Sequence, residues 1–236
     1  MTLAAFALRL LSPAAPPEAP ETWRQFRRTC LETLAPVLLV AAMIGSIATL
    51  MGHHAFLSLG TQAMIGSYAG LVALRELAPL LTGAMIAAKP GTALTAAIAT
   101  MRASEQVAAL EVMGVDPFRH LLGPRVLALV LAAPPLLVFA DVAAILASYV
   151  TAVGALGVAS STYMADLTRF TGVRDLLCGM LKVVVFGGLA GLISAYQGYR
   201  AAGGPRGVSL AITRGMVRTT LAIVVANYLL SEAFYR

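Results

Sequence analysis

Charged residues are scarce in this chain. Only 12% of its 236 residues are Asp, Glu, Lys or Arg, whereas 59% are hydrophobic and the mean hydropathy is +0.83. Soluble domains carry about 25% charged residues, so this composition excludes an ordinary soluble domain. The sequence predicts an integral membrane protein.

The residues that several kinds of chemistry require are also missing. Cys30 and Cys178 are the only cysteines, which excludes a disulfide framework and a cysteine metal cluster. His53 and His54 are adjacent, point to different sides of a helix and have no evident third ligand, so we expect no metal site. The chain has no G-x-x-x-x-G-K-[ST] motif for ATP and no recognisable nucleophile motif. We therefore expect no catalytic residue and no cofactor.

Long apolar runs dominate what is present. A membrane-spanning helix needs about 20 apolar residues, and five runs satisfy this. The second should continue as helix towards residue 99, past two prolines that should kink it. Pairs of glycines four residues apart, Gly66 with Gly70 and Gly187 with Gly191, would allow helices to approach closely. The predicted fold is all-α with five transmembrane helices, at about 34–52, 62–88, 126–150, 176–199 and 212–232.

The residues before the first span predict a helix that lies in the membrane interface. Trp23, Phe26 and Cys30 share one helical face, and the arginines of this segment can extend towards the headgroups. Upstream, several prolines predict a stiff connection to the first dozen residues. We divide the chain into a tail with an interfacial helix, 1–33, and a domain that contains the five spans, 34–236.

The distribution of positive charge predicts the orientation. Of the 17 lysines and arginines, twelve fall at residues 9–28, 89–125 and 200–218, on one predicted side of the membrane, and four fall at 169–182 and at 236, on the other side. Lysine and arginine accumulate in cytoplasmic loops. We therefore expect a cytoplasmic N-terminus and a C-terminus on the opposite side. The net charge of +6 then reflects these loops rather than nucleic-acid binding.

The segment 101–117 is a polar, helix-prone insert between apolar spans. We expect Ser104 to cap a short helix with Glu105 in its first turn, and Gly114 to end it. Asp116 should cap the next helix, with Pro117 at its first position. Two sets of side chains would then meet a partner outside the bilayer, although an ordinary solvated loop helix would account for the same residues. The acidic set is Glu105, Glu111 and Asp116, and the apolar set is Val107, Leu110 and Met113.

Among the ionisable residues of the predicted spans, we single out three. Arg75 and Glu76 should lie roughly 20 Å into the second helix, near the bilayer centre. Because neighbours on a helix diverge by about 100°, these two need not pair with each other. Asp141, in the third span, is another possible partner. Such charges are costly and mark either a structural polar contact or a cargo site; a secondary transporter could use the same three residues for ions or protons.

Several ordered stretches resemble the MlaE/YrbE permease family, over roughly residues 30–235. They are Arg-Glu-Leu-Ala-Pro at 75–79, Thr-Met-Arg-Ala-Ser-Glu-Gln at 100–106, Ala-Leu-Glu-Val-Met-Gly-Val-Asp-Pro at 109–117, Pro-Arg at 124–125 and Gly-Tyr-Arg at 198–200.

The resemblance implies the membrane subunit of an ABC-type lipid transporter in the bacterial inner membrane. Its implied partners are a second copy of the chain, a cytoplasmic ATPase on the coupling helix at about 104–117, a periplasmic MCE-domain protein and a small STAS-domain protein. The implied cargo is phospholipid, in a cavity lined partly by the second span. A membrane scaffold remains a third interpretation. Three positions depart from the family pattern: Lys89 where arginine is usual, Ala97 where an acid is usual, and Asn227 where aspartate is common.

Overall fold

Helices make up nearly all of the described chain. The computed structural model describes residues 3–10, 19–57 and 65–235. The predicted stiff connection at Pro13, Pro16 and Pro17 therefore lies outside the described residues. The same holds for the start of the second predicted span, within 61–64. We name the helices α1 (Leu3–Leu10), α2 (Ala19–Leu57), α3 (Ile65–Ala103), α4 (Gln106–Val112), α5 (Phe118–Ala155), α6 (Ser160–Phe170), α7 (Val173–Tyr199) and α8 (Gly204–Tyr235).

Five of these helices, α2, α3, α5, α7 and α8, are long and apolar enough to cross a membrane. The prediction of an all-α membrane protein with five spans is thus confirmed. The helices run beyond the predicted spans, because polar residues continue them at one or both ends. The predicted boundary at 33/34 falls inside α2, which runs without a break from Ala19 to Leu57.

The second span illustrates how the chain accommodates proline. α3 extends to Ala103, past the predicted residue 99, and contains π-helical turns at Ala73–Leu77 and Ala87–Gly91. The first precedes Pro79 and the second contains Pro90. Proline cannot donate to the carbonyl four residues back and its ring crowds that carbonyl. A wider turn relieves this conflict, so α3 continues where an ideal helix would break.

The described residues form two compact units, which we treat separately. The first unit draws on Met1–Thr33, Gly83–Ala133 and Val184–Ala226, and the second on Leu34–Thr82, Pro134–Val183 and Asn227–Arg236.

Glycines allow close helix packing inside each unit. In the first unit, a Cβ on Gly187 would lie 2.9 Å from the carbonyl oxygen of Leu129, and one on Gly191 would lie 2.8 Å from a Val126 methyl. In the second unit, a Cβ on Gly66 would lie 2.6 Å from the carbonyl oxygen of Tyr163. Only a residue without a side chain fits at these contacts, which confirms the close approach predicted for both glycine pairs.

A hydroxyl chain joins three helices of the second unit. The Thr49 hydroxyl lies 2.6 Å from that of Ser148, which lies 2.7 Å from the buried Tyr163 hydroxyl. Burial raises the pKa of Tyr163, and the hydrogen bond with Ser148 opposes that rise. At the start of α3, the backbone N–H of Ser67 donates to the Asp166 carboxylate at 2.7 Å. These bonds hold α6 against α3 and α5.

Candidate functional site

Seven side chains of the second unit form a polar cluster that we call the Arg75 network. It draws on the π-helical turn of α3, the first part of α7 and the end of α8. Its members are Arg75, Glu76, Asp175, Lys182, Asn227, Ser231 and Tyr235.

Arg75 pairs with Asp175 in this network. The Arg75 Nε lies 2.7 Å from Asp175 Oδ1, and the other carboxylate oxygen accepts the backbone N–H of Gly172 at 3.0 Å. The Arg75 guanidinium also lies 4.7 Å from the centre of the Tyr235 ring. Asp175 is only 6% exposed, whereas the Arg75 side chain is 35% exposed. The ion pair uses Nε, and within the described residues no hydrogen bond from an Arg75 Nη atom is seen.

Glu76 pairs with Lys182. Lys182 is fully buried, and its Nζ lies 3.1 Å from Glu76 Oε1. Lys182 also donates to the carbonyl oxygen of Arg75 at 2.6 Å and to the Ser231 hydroxyl at 2.8 Å, which satisfies its three protons. The second Glu76 oxygen accepts bonds from Asn227 and Ser231 at 3.1 and 2.9 Å. This set of partners offsets the cost of burying the Lys182 ammonium group.

In the described residues, Arg75 pairs with neither Glu76 nor Asp141, the two partners that the sequence left open. The structure joins Arg75 to Asp175 instead. Asp141 is buried, and neither of its carboxylate oxygens has a hydrogen-bond partner in the described part of the chain.

Asp175 and Lys182 were not singled out from the sequence. Lys182 was counted among the positive charges of the loop before the fourth span and not as a residue inside that span. The spacing of seven residues between Asp175 and Lys182 places both on one helix face, and a lysine inside an apolar run was the available signal. On α8, Asn227 and Ser231 are four residues apart, which also places two polar side chains on one face of an apolar helix.

The 104–117 segment lies in the first unit. The start of its helix, α4, differs from the prediction. Ser104 does not cap α4: its hydroxyl donates back to the carbonyl oxygen of Thr100 at 2.9 Å, because α3 continues to Ala103. Glu105 takes the position before α4 instead, with a left-handed φ of 59°. Non-glycine residues adopt this conformation at a cost of about 1–2 kcal/mol.

The other end of α4 matches the prediction. Gly114 has φ +75°, and its N–H donates to the carbonyl oxygen of Glu111. The N–H of Val115 donates to the carbonyl oxygen of Leu110, which completes a Schellman motif. The Asp116 carboxylate accepts the N–H of Phe118 at 3.0 Å, so Asp116 caps α5 as expected.

The apolar side chains that this segment exposes are not those that were predicted. Val107 is 1% exposed and packs within its own unit, so it is not free to meet a partner, and Leu110 is partly buried. Met113 is exposed as expected, and Val112, which was not predicted, is 89% exposed. The acidic residues Glu105, Glu111 and Asp116 are all exposed.

An N-terminal helix packs beside this segment. Phe6 of α1 is fully buried, with its ring centre 5.1 Å from that of Phe118 and 5.5 Å from that of Tyr196. Arg9 lies over the Phe118 ring at 4.5 Å and 3.8 Å from the Asp116 carboxylate. This helix was not predicted, because eight residues are too few to show a clear helical period.

Comparison with known proteins identifies the family. The model of the family described as Permease MlaE matches residues 22–233. A probable ABC transporter permease protein of Synechocystis is 33% identical over 91% of this chain and 82% of its own length. The intermembrane phospholipid transport system permease protein MlaE of Haemophilus influenzae is 28% identical over 87% and 79%.

A third relative matches a shorter stretch. A probable ABC transporter permease protein of Rickettsia prowazekii is 34% identical over 61% of this chain, and the match spans 55% of that relative's length. Since the family model covers nearly the whole sequence, this chain belongs to the MlaE permease family.

Proposed function

We propose that this chain is the membrane permease subunit of an ABC-type lipid transporter that moves phospholipid between the inner and outer membranes. ATP hydrolysis is assigned to a separate subunit, since this chain has no phosphate-binding loop. A second copy of the chain, a periplasmic MCE-domain protein and a STAS-domain protein complete the proposed assembly. The family and the names of its relatives support this function.

The Arg75 network is the observation that carries the proposal. It places a partly exposed guanidinium and a partly exposed carboxylate, that of Glu76, on an apolar helix long enough to span a membrane. An arginine can bind a phosphate oxygen pair with two parallel hydrogen bonds. We propose that Arg75 holds the headgroup phosphate, while Asp175 fixes its orientation. Asp141 does not join this contact.

The 104–117 segment is the proposed contact with the ATPase. Its exposed acidic residues suit a basic groove, and Val112 and Met113 offer an apolar centre. The Schellman motif and the Asp116 cap fix one end of its helix.

A secondary transporter is the alternative, and the buried Asp141 carboxylate is the observation that favours it. Purification of the tagged full-length chain from its own cells separates the two. The proposed function predicts a stoichiometric ABC ATPase and extractable phospholipid in the purified sample. A chain that purifies without an ATPase, and moves substrate in response to an ion gradient, would establish the alternative.

The proposed orientation gives a separate prediction. Reporter fusions after Arg236 and within 103–118 should report opposite compartments, with the 103–118 fusion cytoplasmic, because most lysines and arginines lie on that side. Alkaline phosphatase and green fluorescent protein fusions measure this directly. If both fusions were active in one compartment, the number of spans would be even and the 104–117 segment would lose its proposed partner.

A further inference from the structure

A cavity of about 130 Å³ with both polar and apolar lining residues lies within the first unit, and the proposed transport function does not use it. One water needs only about 10–15 Å³ of such space, so a group of phosphate size fits. The side chains that matter for its chemistry come from α2, α3 and α5. They are Gln25, Arg28, Thr29, Glu32, Ala97 and Arg125.

The cavity has an excess positive charge. Arg28 is neutralised by Glu32, whose carboxylate lies 2.7 Å from the Arg28 Nε. Arg125 is partly buried, and in the described ranges no carboxylate lies within 4 Å of its guanidinium. Glu21 attracts Arg125 electrostatically, but its two oxygens accept bonds from Gln25 and Arg24. Arg125 therefore supplies the cavity with a cation that lacks a direct counter-ion.

Small side chains line the cavity together with Arg125. Ala97 lines the cavity with a methyl group only, and Thr29, which is buried, adds a hydroxyl. A guanidinium and a hydroxyl are donors suited to tetrahedral oxyanions, and arginine binds phosphate in a bidentate manner. A bound anion would also offset the cost of a partly desolvated guanidinium.

We propose that this cavity, the Arg125 cavity, binds a phosphate group, carried either by a lipid headgroup or by free phosphate. Arg125 is the main ligand, and Thr29 and the free donors of Arg28 complete the site. This site is separate from the Arg75 network and involves different residues. Its occupant would fix the N-terminal part of α2 to α3 and α5 within the first unit.

Calorimetric titration of the purified full-length chain in detergent micelles tests the proposal. The two probes are dihexanoyl phosphatidic acid and inorganic phosphate. Arg125→Gln should weaken binding of the phosphate probe by about tenfold or more, the effect expected for loss of a charge-assisted hydrogen bond. Ala97→Glu keeps Arg125 but places a carboxylate in the cavity, and should weaken binding equally.

The control is Arg214→Gln, which removes an exposed arginine of the same unit that does not line the cavity. It should leave binding unchanged. Tighter binding of the lipid probe than of inorganic phosphate assigns the site to a headgroup, and equal binding assigns it to free phosphate. Binding that survives both Arg125→Gln and Ala97→Glu, or that falls equally in Arg214→Gln, would overturn the proposal.

Discussion

The Arg75→Ala variant should lose about 3 kcal/mol of unfolding free energy and most of its bound phospholipid. The loss of stability follows because Asp175, 6% exposed, would keep its charge without its partner, and breaking a buried ion pair from one side costs about 3–5 kcal/mol. Because Arg75 is partly exposed, we expect a loss at the lower end of this range. Denaturant titration in mixed micelles, followed by circular dichroism, measures the stability, and lipid extraction with mass spectrometry measures the cargo.

Two further variants separate stability from lipid binding. Arg75→Ala with Asp175→Asn removes the unpaired charge, so this double variant should recover much of the stability but not the lipid. Arg75→Lys keeps the positive charge without the bidentate fork; it should assemble normally and carry less phospholipid. Wild-type lipid content in a folded Arg75→Ala protein would mean that Arg75 has only a structural role.

The second large effect concerns the ATPase contact. Glu111→Lys combined with Val112→Asp should weaken ATPase binding by more than about a hundredfold, because charge reversal and loss of apolar contact at an interface cost several kcal/mol. Both side chains are exposed, so the permease itself should remain as stable as the wild type. Co-purification with quantitative gel densitometry or native mass spectrometry measures the stoichiometry.

Val107 and Arg206 supply the controls for this experiment. Val107→Ala truncates a buried side chain, so it should lower stability without changing ATPase affinity in the folded protein. Arg206→Gln alters an exposed residue outside the 104–117 segment and should change neither property. Normal ATPase stoichiometry in the Glu111→Lys, Val112→Asp protein would remove this segment as the docking site.

Local signals in the sequence predicted the helices and some of their ends. Five apolar runs gave five spans because hydropathy over about 20 residues is a property of the run itself. The Gly114 and Asp116 ends were predictable because each depends on a few adjacent residues. The prediction for Ser104 failed because it does not depend on adjacent residues alone. Whether a serine caps the next helix or closes the previous one depends on where that previous helix stops.

The partners inside the Arg75 network could not be predicted locally. Arg75 and Asp175 are 100 residues apart, and Lys182 and Glu76 are 106 apart. Their pairing depends on which faces of α3 and α7 pack together. Asp141 was a reasonable candidate by charge, but only the packing could exclude it. Likewise, the spacing of Val107, Leu110 and Met113 indicated one apolar face without showing that its first member packs inside the chain.

Lipid transfer in a reconstituted system is the most direct test of the central claim, that this chain is an ATP-driven lipid permease. The full-length chain, purified with its ATPase and MCE-domain partner, would be placed in liposomes that contain a fluorescent phospholipid, and transfer to acceptor liposomes would be recorded. We expect transfer that requires ATP hydrolysis, stops with a non-hydrolysable ATP analogue and falls sharply in Arg75→Ala. Transfer at the same rate without ATP or without the ATPase would contradict it.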